Sequence, residues 1–172
     1  YAEAEAGKNF DKQLKAIEER YNEIIKGLGL KLSLKEQFET IKKNFESKAG
    51  KDYAASRGEY LNGIIMANYL GYEFIDAASV ICFDPEGEFD GEKTNKVMAD
   101  RLANVEKAVI PGFYGAMPNG EVKTFSRGGS DVTGSIVARA IKADVYENWT
   151  DVSGFLAADP RIVDNPRSIE VI

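Results

Sequence analysis

The stretch VIPGFYGAMPNGEVKTFSRGGSDVTGSIVARAIKAD, residues 109–144, decides how the chain folds. It opens inside a short apolar run, Ala108–Val109–Ile110, that stops at Pro111 and Gly112. Pro118–Asn119–Gly120 is a strong turn signal, and Val122–Lys123–Thr124–Phe125 alternates behind it as a strand does. The glycine cluster Ser126–Arg127–Gly128–Gly129–Ser130–Asp131 follows, and then Ile136, Val137, Ala140 and Ile141 recur at helical spacing.

Working outward, the same alternation continues on both sides. Tyr60, Leu61, Ile64, Ile65 and Leu70 predict a helix that ends at Gly71. Two β-rich runs come next, Tyr72–Phe74–Ile75 and Val80–Ile81–Cys82–Phe83, then a turn, DPEGEFDG, at 84–91. Residues 92–106 predict a further helix, and Asp144–Trp149 a strand ending at Thr150–Asp151. Strands alternating with helices predict an α/β fold with a largely parallel sheet.

The first fifty residues differ in texture. Phe10, Leu14, Ile17, Tyr21, Ile24 and Leu28 mark one face of a helix that Gly27 and Gly29 stop. Ser33, with Glu36 three residues on, predicts a capping box for a second helix whose apolar face is Leu34, Phe38, Ile41 and Phe45. The expected role of this hairpin is packing on a core, with a partner groove or a lid as the functional alternative.

Composition bounds the chemistry. The 172 residues suit one domain, and 44% hydrophobic with 29% charged residues is an ordinary globular balance. A net charge of −6 argues against a general nucleic-acid binder, whose phosphate contacts need clustered Lys and Arg. With no His, Ser-His and Cys-His nucleophilic chemistry and His-ligated zinc are excluded. A single Cys82 excludes an intrachain disulfide and a multi-Cys metal site, and it fits a reducing compartment such as the cytoplasm. No apolar run approaches the roughly 18–20 residues of a membrane span, so no membrane partner is expected.

Three segments are candidate sites. In Ser126–Asp131, two glycines at a helix entry let the backbone approach a ligand, and the free N–H groups of the first turn favour an anion. Arg127 adds a planar fork for carboxylate or phosphate. The structural alternative makes Ser130 an N-cap and Asp131 a first-turn charge. Thr150–Asp151 and the loop VSGFLAADPR would sit at a strand's carboxyl end, where open α/β sheets gather ligands; Gly154 and Asp159–Pro160–Arg161 would shape its turns. An Asx turn followed by a proline turn explains the same residues. Glu59, in Ser56–Arg57–Gly58–Glu59, is either a site carboxylate or a solvated helical charge.

Taken together, SRGEYLNGIIMANYLG at 56–71, residues 109–144 and TDVSGFLAADPRIVDNPRSIEVI at 150–172 resemble the amino acid kinase family and, within it, the aspartate kinases. The resemblance implies a three-layer αβα fold with a mainly parallel sheet. It also implies transfer of the γ-phosphoryl of Mg·ATP to the side-chain carboxylate of L-aspartate, giving 4-phospho-L-aspartate, the entry to lysine, threonine and methionine synthesis. By the resemblance, Glu59, Phe113, Arg127, Ser130 and Asp131 line the aspartate site. Arg127 pairs with a carboxylate, Glu59 faces the ammonium, and Asp131 organises the reacting groups. Gly128, Gly129, Thr150, Asp151 and Arg161 contact the nucleotide. Phosphoryl transfer needs alignment and charge neutralisation more than covalent help, so the absence of His is no obstacle. Mg²⁺ is expected to ride on ATP phosphates, with no protein metal ligand named.

The sequence departs from the family pattern at Ser126, where a glycine usually opens the loop, and at Leu156, where an aromatic is usual. The family's Lys-x-Gly-Gly strand, its later lysine segment and its C-terminal ACT domains have no counterpart in these residues. The expectation is therefore an internal portion of a catalytic domain, incomplete at both ends and inactive alone. A truncated α/β unit exposes sheet edge, so a homo-oligomer is expected. The alternatives are a family member with a different acceptor and a non-catalytic binding domain that keeps the fold.

Overall fold

In the computed structural model, residues 1–126, 128–149, 155–159 and 161–169 are described. A single-turn helix α1 (Ala2–Glu5) precedes α2 (Asp11–Gly27) and α3 (Lys35–Glu46). The apolar spacing of α3 does what its period dictates: Leu34, Phe38 and Ile41 are buried together with Leu61 and Ile65 of α4 (Lys51–Leu70). On α2 the expected face is realised only in part: Leu14, Tyr21 and Ile24 pack against this cluster, but the buried residue is Ile25, and Ile17 and Leu28, expected on the packed face, are exposed because the helix turns the Ile24–Ile25 side to α3 and α4. The capping box expected at Ser33 does not form. Helix α3 starts a residue later, at Lys35, with Leu34 in the cap position, and Ser33 Oγ accepts only from the Lys35 N–H at 3.4 Å. Leu34 is fully buried in the cluster, so its packing sets where the helix begins.

Helix α4 is the wall shared by both halves of the molecule. Leu61 and Ile65 face the helical hairpin, while Gly63 faces the strands, its hydrogen in place of a Cβ letting Phe74 and Pro111 close in. Gly71 ends it at φ 68°, and the Tyr72 N–H reaches back to the Ala67 carbonyl at 2.9 Å, the αL termination that glycine permits.

Beyond α4, β1 (Glu73–Phe74) pairs in parallel with β2 (Ala108–Val109). Between them lie a 3₁₀ turn (Ala77–Ser79) and α5 (Gly91–Leu102), whose N-cap Asp90 accepts from the Lys93 N–H at 3.0 Å. Helix α5 stops four residues before the sequence expectation of 106. A turn from Leu102 to Val105, closed by a 3.0 Å hydrogen bond, returns the chain to β1, where Arg101 of α5 also pairs with Glu73. The Pro118–Gly120 signal makes the antiparallel hairpin of β3 (Tyr114–Ala116) and β4 (Val122–Thr124). The other edge of β3 takes a parallel bridge from Cys82, through Ala116 N–H to Ile81 O and Phe83 N–H to Ala116 O, both 2.9 Å. Helix α6 (Gly129–Ala140) and a small antiparallel pair, β5 (Phe155–Leu156) with β6 (Ser168–Ile169), complete the described elements. The second core holds Ile75, Ile81, Phe83, Met98, Tyr114 and Ile136.

Helices combined with parallel strands give the α/β class expected. Among the described residues the strands are short and stand in three two-stranded pieces, one parallel and two antiparallel. The strand expected at Asp144–Trp149 is absent: these residues are irregular and exposed, with Trp149 88% exposed. β-favouring side chains form a strand only beside a partner edge, and none of the described strands pairs with this segment. Among the described residues, no helix is long and apolar enough to cross a membrane.

The closest approach in the second core is testable. A Cβ at Gly115 would lie 2.5 Å from the Ile81 carbonyl oxygen, whereas one on Gly58 of α4 would meet nothing within 4 Å. Gly115→Ala is expected to lower stability by about 1–3 kcal/mol, while Gly58→Ala should raise it by about 0.5–1 kcal/mol. Urea unfolding midpoints of the two variants check this.

Candidate functional site

The site grows from the start of α6. Gly128 occupies the N-cap position at φ 57°, a left-handed conformation that suits glycine, and no side chain caps the helix. Ser130 is therefore not the N-cap; it lies in the first helical turn, exposed, with Asp131 beside it. The first-turn N–H groups, with their share of the helix dipole, are left to solvent or a ligand.

Gly129 is buried and explains why the loop needs two glycines. A Cβ there would sit 2.5 Å from Phe113 Cβ, 2.7 Å from Phe113 Cα and 3.1 Å from Phe125 Cβ. Phe113 meets it in a left-handed conformation, φ 65°, unusual for a bulky residue. Hydrogen bonds hold it there. Its N–H donates to Thr133 Oγ1 at 3.0 Å, Thr133 Oγ1 donates to the Gly129 carbonyl at 2.7 Å, and the Phe113 carbonyl accepts from the Phe125 N–H at 2.9 Å. Gly112 closes the other side, where a Cβ would lie 3.1 Å from Ser130 Cα. Backbone strain fixed from several directions is a common mark of functional loops.

The structure thus brings Phe113, Gly128, Gly129 and Ser130 together, with Asp131 one residue on. Asp131 Oδ1 accepts from Asn148 Nδ2 at 3.3 Å, and its carbonyl accepts from Ser135 Oγ at 3.1 Å. Tyr146 packs against Gly134, so the segment after α6 folds back over the helix's first turns. Glu59 is exposed on α4, one turn before the Gly63 that packs on Pro111. Burial first, and the Glu59 carboxylate second, push the Tyr21 phenol above its ordinary value, while the Tyr21 hydroxyl donates to the Gly58 carbonyl at 3.1 Å. No hydrogen bond among the described residues joins Glu59 to the α6 loop.

Arg161 is not brought to that loop by any bond among the described residues. Its Nε and Nη2 grip the Asp159 carboxylate, the shortest bond being 2.7 Å, and its N–H donates to Asp159 Oδ1 at 2.8 Å. That pairing holds the partly exposed Asp159 carboxyl below its usual value and raises Arg161. Arg127, Thr150, Asp151, Gly154 and Pro160 lie outside the described residues. Among the described residues, no cluster of His, Cys, Asp or Glu could hold a metal ion.

The sequence reading missed Thr133 and Tyr114. Thr133 stands four residues after Gly129, the spacing at which a helical hydroxyl reaches back to a carbonyl, and that spacing could have flagged it. Tyr114, buried next to Phe113, donates its hydroxyl to Asp76 Oδ1 at 2.7 Å and ties the loop to the 3₁₀ turn. Burial, then the Asp76 charge, raise the Tyr114 phenol far above its ordinary value.

The fold and the site define an α/β protein whose helix α6 opens on a glycine pair clamped under a strained loop. It belongs to the amino acid kinase family, whose profile matches residues 4–172. Aspartokinase 3 of Bacillus subtilis is 32% identical over 168 residues, covering 90% of this chain and 37% of that protein. The crystal structure of Clostridium acetobutylicum aspartate kinase superposes with a TM-score of 0.85 at 57% identity, over 96% of this chain and 38% of that one. E. coli aspartokinase III, in complex with aspartate and ADP, gives a TM-score of 0.72 at 26% identity, over 92% of this chain and 40% of that one. The chain therefore spans about two fifths or less of these relatives' length.

Two outcomes follow from this geometry. Gly129→Ala must displace backbone at Phe113 and should cost about 1–3 kcal/mol, read from urea unfolding, whereas alanine at the open helical Gly58 carries no such penalty. The raised Tyr114 contributes stability that is complete below the unfolded tyrosine value of about 10 and falls as pH rises above it. Tyr114→Phe should flatten that alkaline decline while lowering neutral-pH stability by about 1.5–3 kcal/mol through loss of the bond to the Asp76 carboxylate. Thermal unfolding between pH 7 and 11 tests both parts.

Proposed function

We propose that this chain is the substrate- and nucleotide-binding part of an aspartate kinase. The reaction transfers the γ-phosphoryl of Mg·ATP to the side-chain carboxylate of L-aspartate, giving 4-phospho-L-aspartate, the first step towards lysine, threonine and methionine. The observation that carries the reading is the uncapped, glycine-opened N-terminus of α6, clamped beneath Phe113. It aims backbone N–H groups at an anion, which is what both a carboxylate substrate and a polyphosphate offer. The relatives named above as aspartate kinases, and the E. coli relative's complex with aspartate and ADP, support the same substrates here.

In this reading Arg127 pairs with a substrate carboxylate, Glu59 faces the ammonium, and Phe113 and Ser130 line the pocket. Asp131 helps to organise the reacting groups. Gly128 and Gly129 bring backbone close to the transferring phosphate, and Thr150, Asp151 and Arg161 hold the nucleotide. A phosphate would compete with Asp159 for Arg161, since both want the same guanidinium edge. Mg²⁺ would ride on the nucleotide phosphates and supply charge neutralisation there. The proposed setting is the cytoplasm, and the proposed assembly a homo-oligomer.

The test is an acceptor panel on the whole protein that carries this chain. ADP release and hydroxylamine-trapped acyl phosphate should appear with L-aspartate and Mg·ATP, and should be absent with glutamate, uridylate or carbamate. Arg127→Ala is expected to raise KM for aspartate about ten- to a hundredfold, the worth of a charge-assisted hydrogen bond. Turnover on another acceptor, with none on aspartate, would assign a different member of the family. No turnover on any acceptor would favour a binding domain that keeps the fold.

A further inference from the structure

We propose that Thr133 is a positioning residue for the acceptor site. Its hydroxyl holds the peptide between Gly112 and Phe113 in the orientation that receives the ligand, so the free protein already stands in its binding-competent form. The inference rests on the proposed placement of Phe113 in the aspartate site.

The strain sits in one torsion. Phe113 has φ 65°, a left-handed value that a bulky side chain disfavours, and its neighbour Gly112 tolerates nearly any backbone angle. Rotating the peptide between them would return Phe113 to a negative φ. Two bonds oppose that rotation, one on each side of the residue. The Phe113 N–H donates to Thr133 Oγ1 at 3.0 Å, and the Phe113 carbonyl accepts from the Phe125 N–H at 2.9 Å. Only the first pins the peptide that would turn.

Thr133 is built for that task. It is 3% exposed, so solvent has little access to replace its oxygen. Its one proton goes to the Gly129 carbonyl at 2.7 Å, which leaves lone pairs to face the Phe113 N–H. Gly129 is itself fixed against the loop, since a Cβ there would lie 2.5 Å from Phe113 Cβ.

Loss of this hydroxyl has a specific kinetic signature. The Phe113 N–H would be left without its acceptor in the left-handed form alone, so the free loop relaxes towards an unstrained φ. The ligand then binds only the fraction that remains left-handed, and its apparent dissociation constant rises by the inverse of that fraction. Once the ligand is bound, the loop is as it is in the unaltered protein, so transfer from the complex keeps its rate. KM rises and kcat holds.

A second buried threonine supplies the control. Thr94 of α5 is fully buried, and its Oγ1 accepts from the Cys82 N–H at 2.9 Å, a bond of the same kind between a helix and a neighbouring segment. It makes no hydrogen bond to Phe113 or Gly129 among the described residues. Valine at either position removes one buried hydroxyl, but only the change at Thr133 frees the loop.

The experiment is steady-state kinetics of the whole protein that carries this chain, with L-aspartate varied at saturating Mg·ATP. Thr133→Val is expected to raise KM for aspartate about tenfold with kcat within about twofold, and Thr133→Ser, which keeps the hydroxyl, to stay within about twofold of the wild-type KM. Thr94→Val should lower the urea unfolding midpoint as Thr133→Val does and leave KM unchanged. An unchanged KM in Thr133→Val would overturn the proposal. So would an equal rise in Thr94→Val, which would trace the effect to stability, or a Thr133→Ser KM as high as that of valine. If Thr133→Val fails to fold, Thr133→Cys, whose thiol is a weaker acceptor, should raise KM about two- to fivefold, and a wild-type KM there would overturn the proposal equally. The kinase reading fails separately. Wild-type turnover on another acceptor would displace aspartate, and the same KM comparison on that acceptor would test Thr133. With no turnover on any acceptor, amide hydrogen exchange of the ¹⁵N-labelled chain decides. The Phe113 N–H should exchange about tenfold faster in Thr133→Val, and equal rates would overturn the proposal.

Discussion

The contact between Gly129 and Phe113 constrains everything around it. A hydrogen in place of a methyl at Gly129 lets the first turn of α6 press directly on the Phe113 backbone. In return, Phe113 takes a left-handed φ that its side chain disfavours. That conformation costs on the order of 1–3 kcal/mol and persists only because neighbouring bonds over-determine it. Thr133 supplies two of them, bonding to the Phe113 N–H and the Gly129 carbonyl, so loop and helix are locked by one hydroxyl. The consequence for function is positional. The uncapped end of α6 stands in one fixed relation to the loop, and a ligand meeting one meets the other.

The clamp is anchored from behind. Tyr114, next in sequence, is buried in the second core and bonded to Asp76, while Gly115 lets β3 come against the Ile81 backbone. Helix α4 then ties this strand layer to the helical hairpin, with Leu61 and Ile65 on one side and Gly63 on the other. The Arg57 guanidinium lies between Tyr53 and Tyr60 of α4 and over Tyr114 of β3, a stack that spans both layers. Burying a cation among rings can offset part of its desolvation, since cation–π contacts gain strength as water is excluded.

Much of the fold was legible because periodicity reports burial directly. The apolar spacings of α3 and α4, the Gly71 stop and the Pro118–Gly120 turn are each local features whose physics needs no distant partner, whereas on α2 the packed side includes Ile25 and leaves the expected Ile17 and Leu28 exposed. Where the reading failed, a non-local partner decided. Asp144–Trp149 has strand-like side chains and no neighbouring strand among the described residues, and it packs back on α6 through Tyr146 and Asn148 instead. Ser33 and Ser130 both look like N-caps; burial of Leu34 and the left-handed turn at Gly128 moved each helix start by a residue or more. The glycine pair before α6 was legible as a close approach, but the surface it approaches was not, because nothing in the sequence around Phe113 announces a positive φ. Arg161 illustrates the converse: its sequence neighbour Asp159 is also its partner, a pairing that the Asp-Pro-Arg order allows and a motif reading passes over.

The central claim is that the α6 N-terminus and the Phe113 loop together receive an anionic ligand. Amide chemical shifts of the ¹⁵N-labelled chain, followed while L-aspartate and then Mg·ADP are added, test it most directly. The account predicts that the N–H resonances of Gly129, Ser130, Asp131 and Phe113 move most and saturate, while those of α2 stay in place. Saturating shifts confined to other elements, or none at this helix start from either ligand, would contradict it.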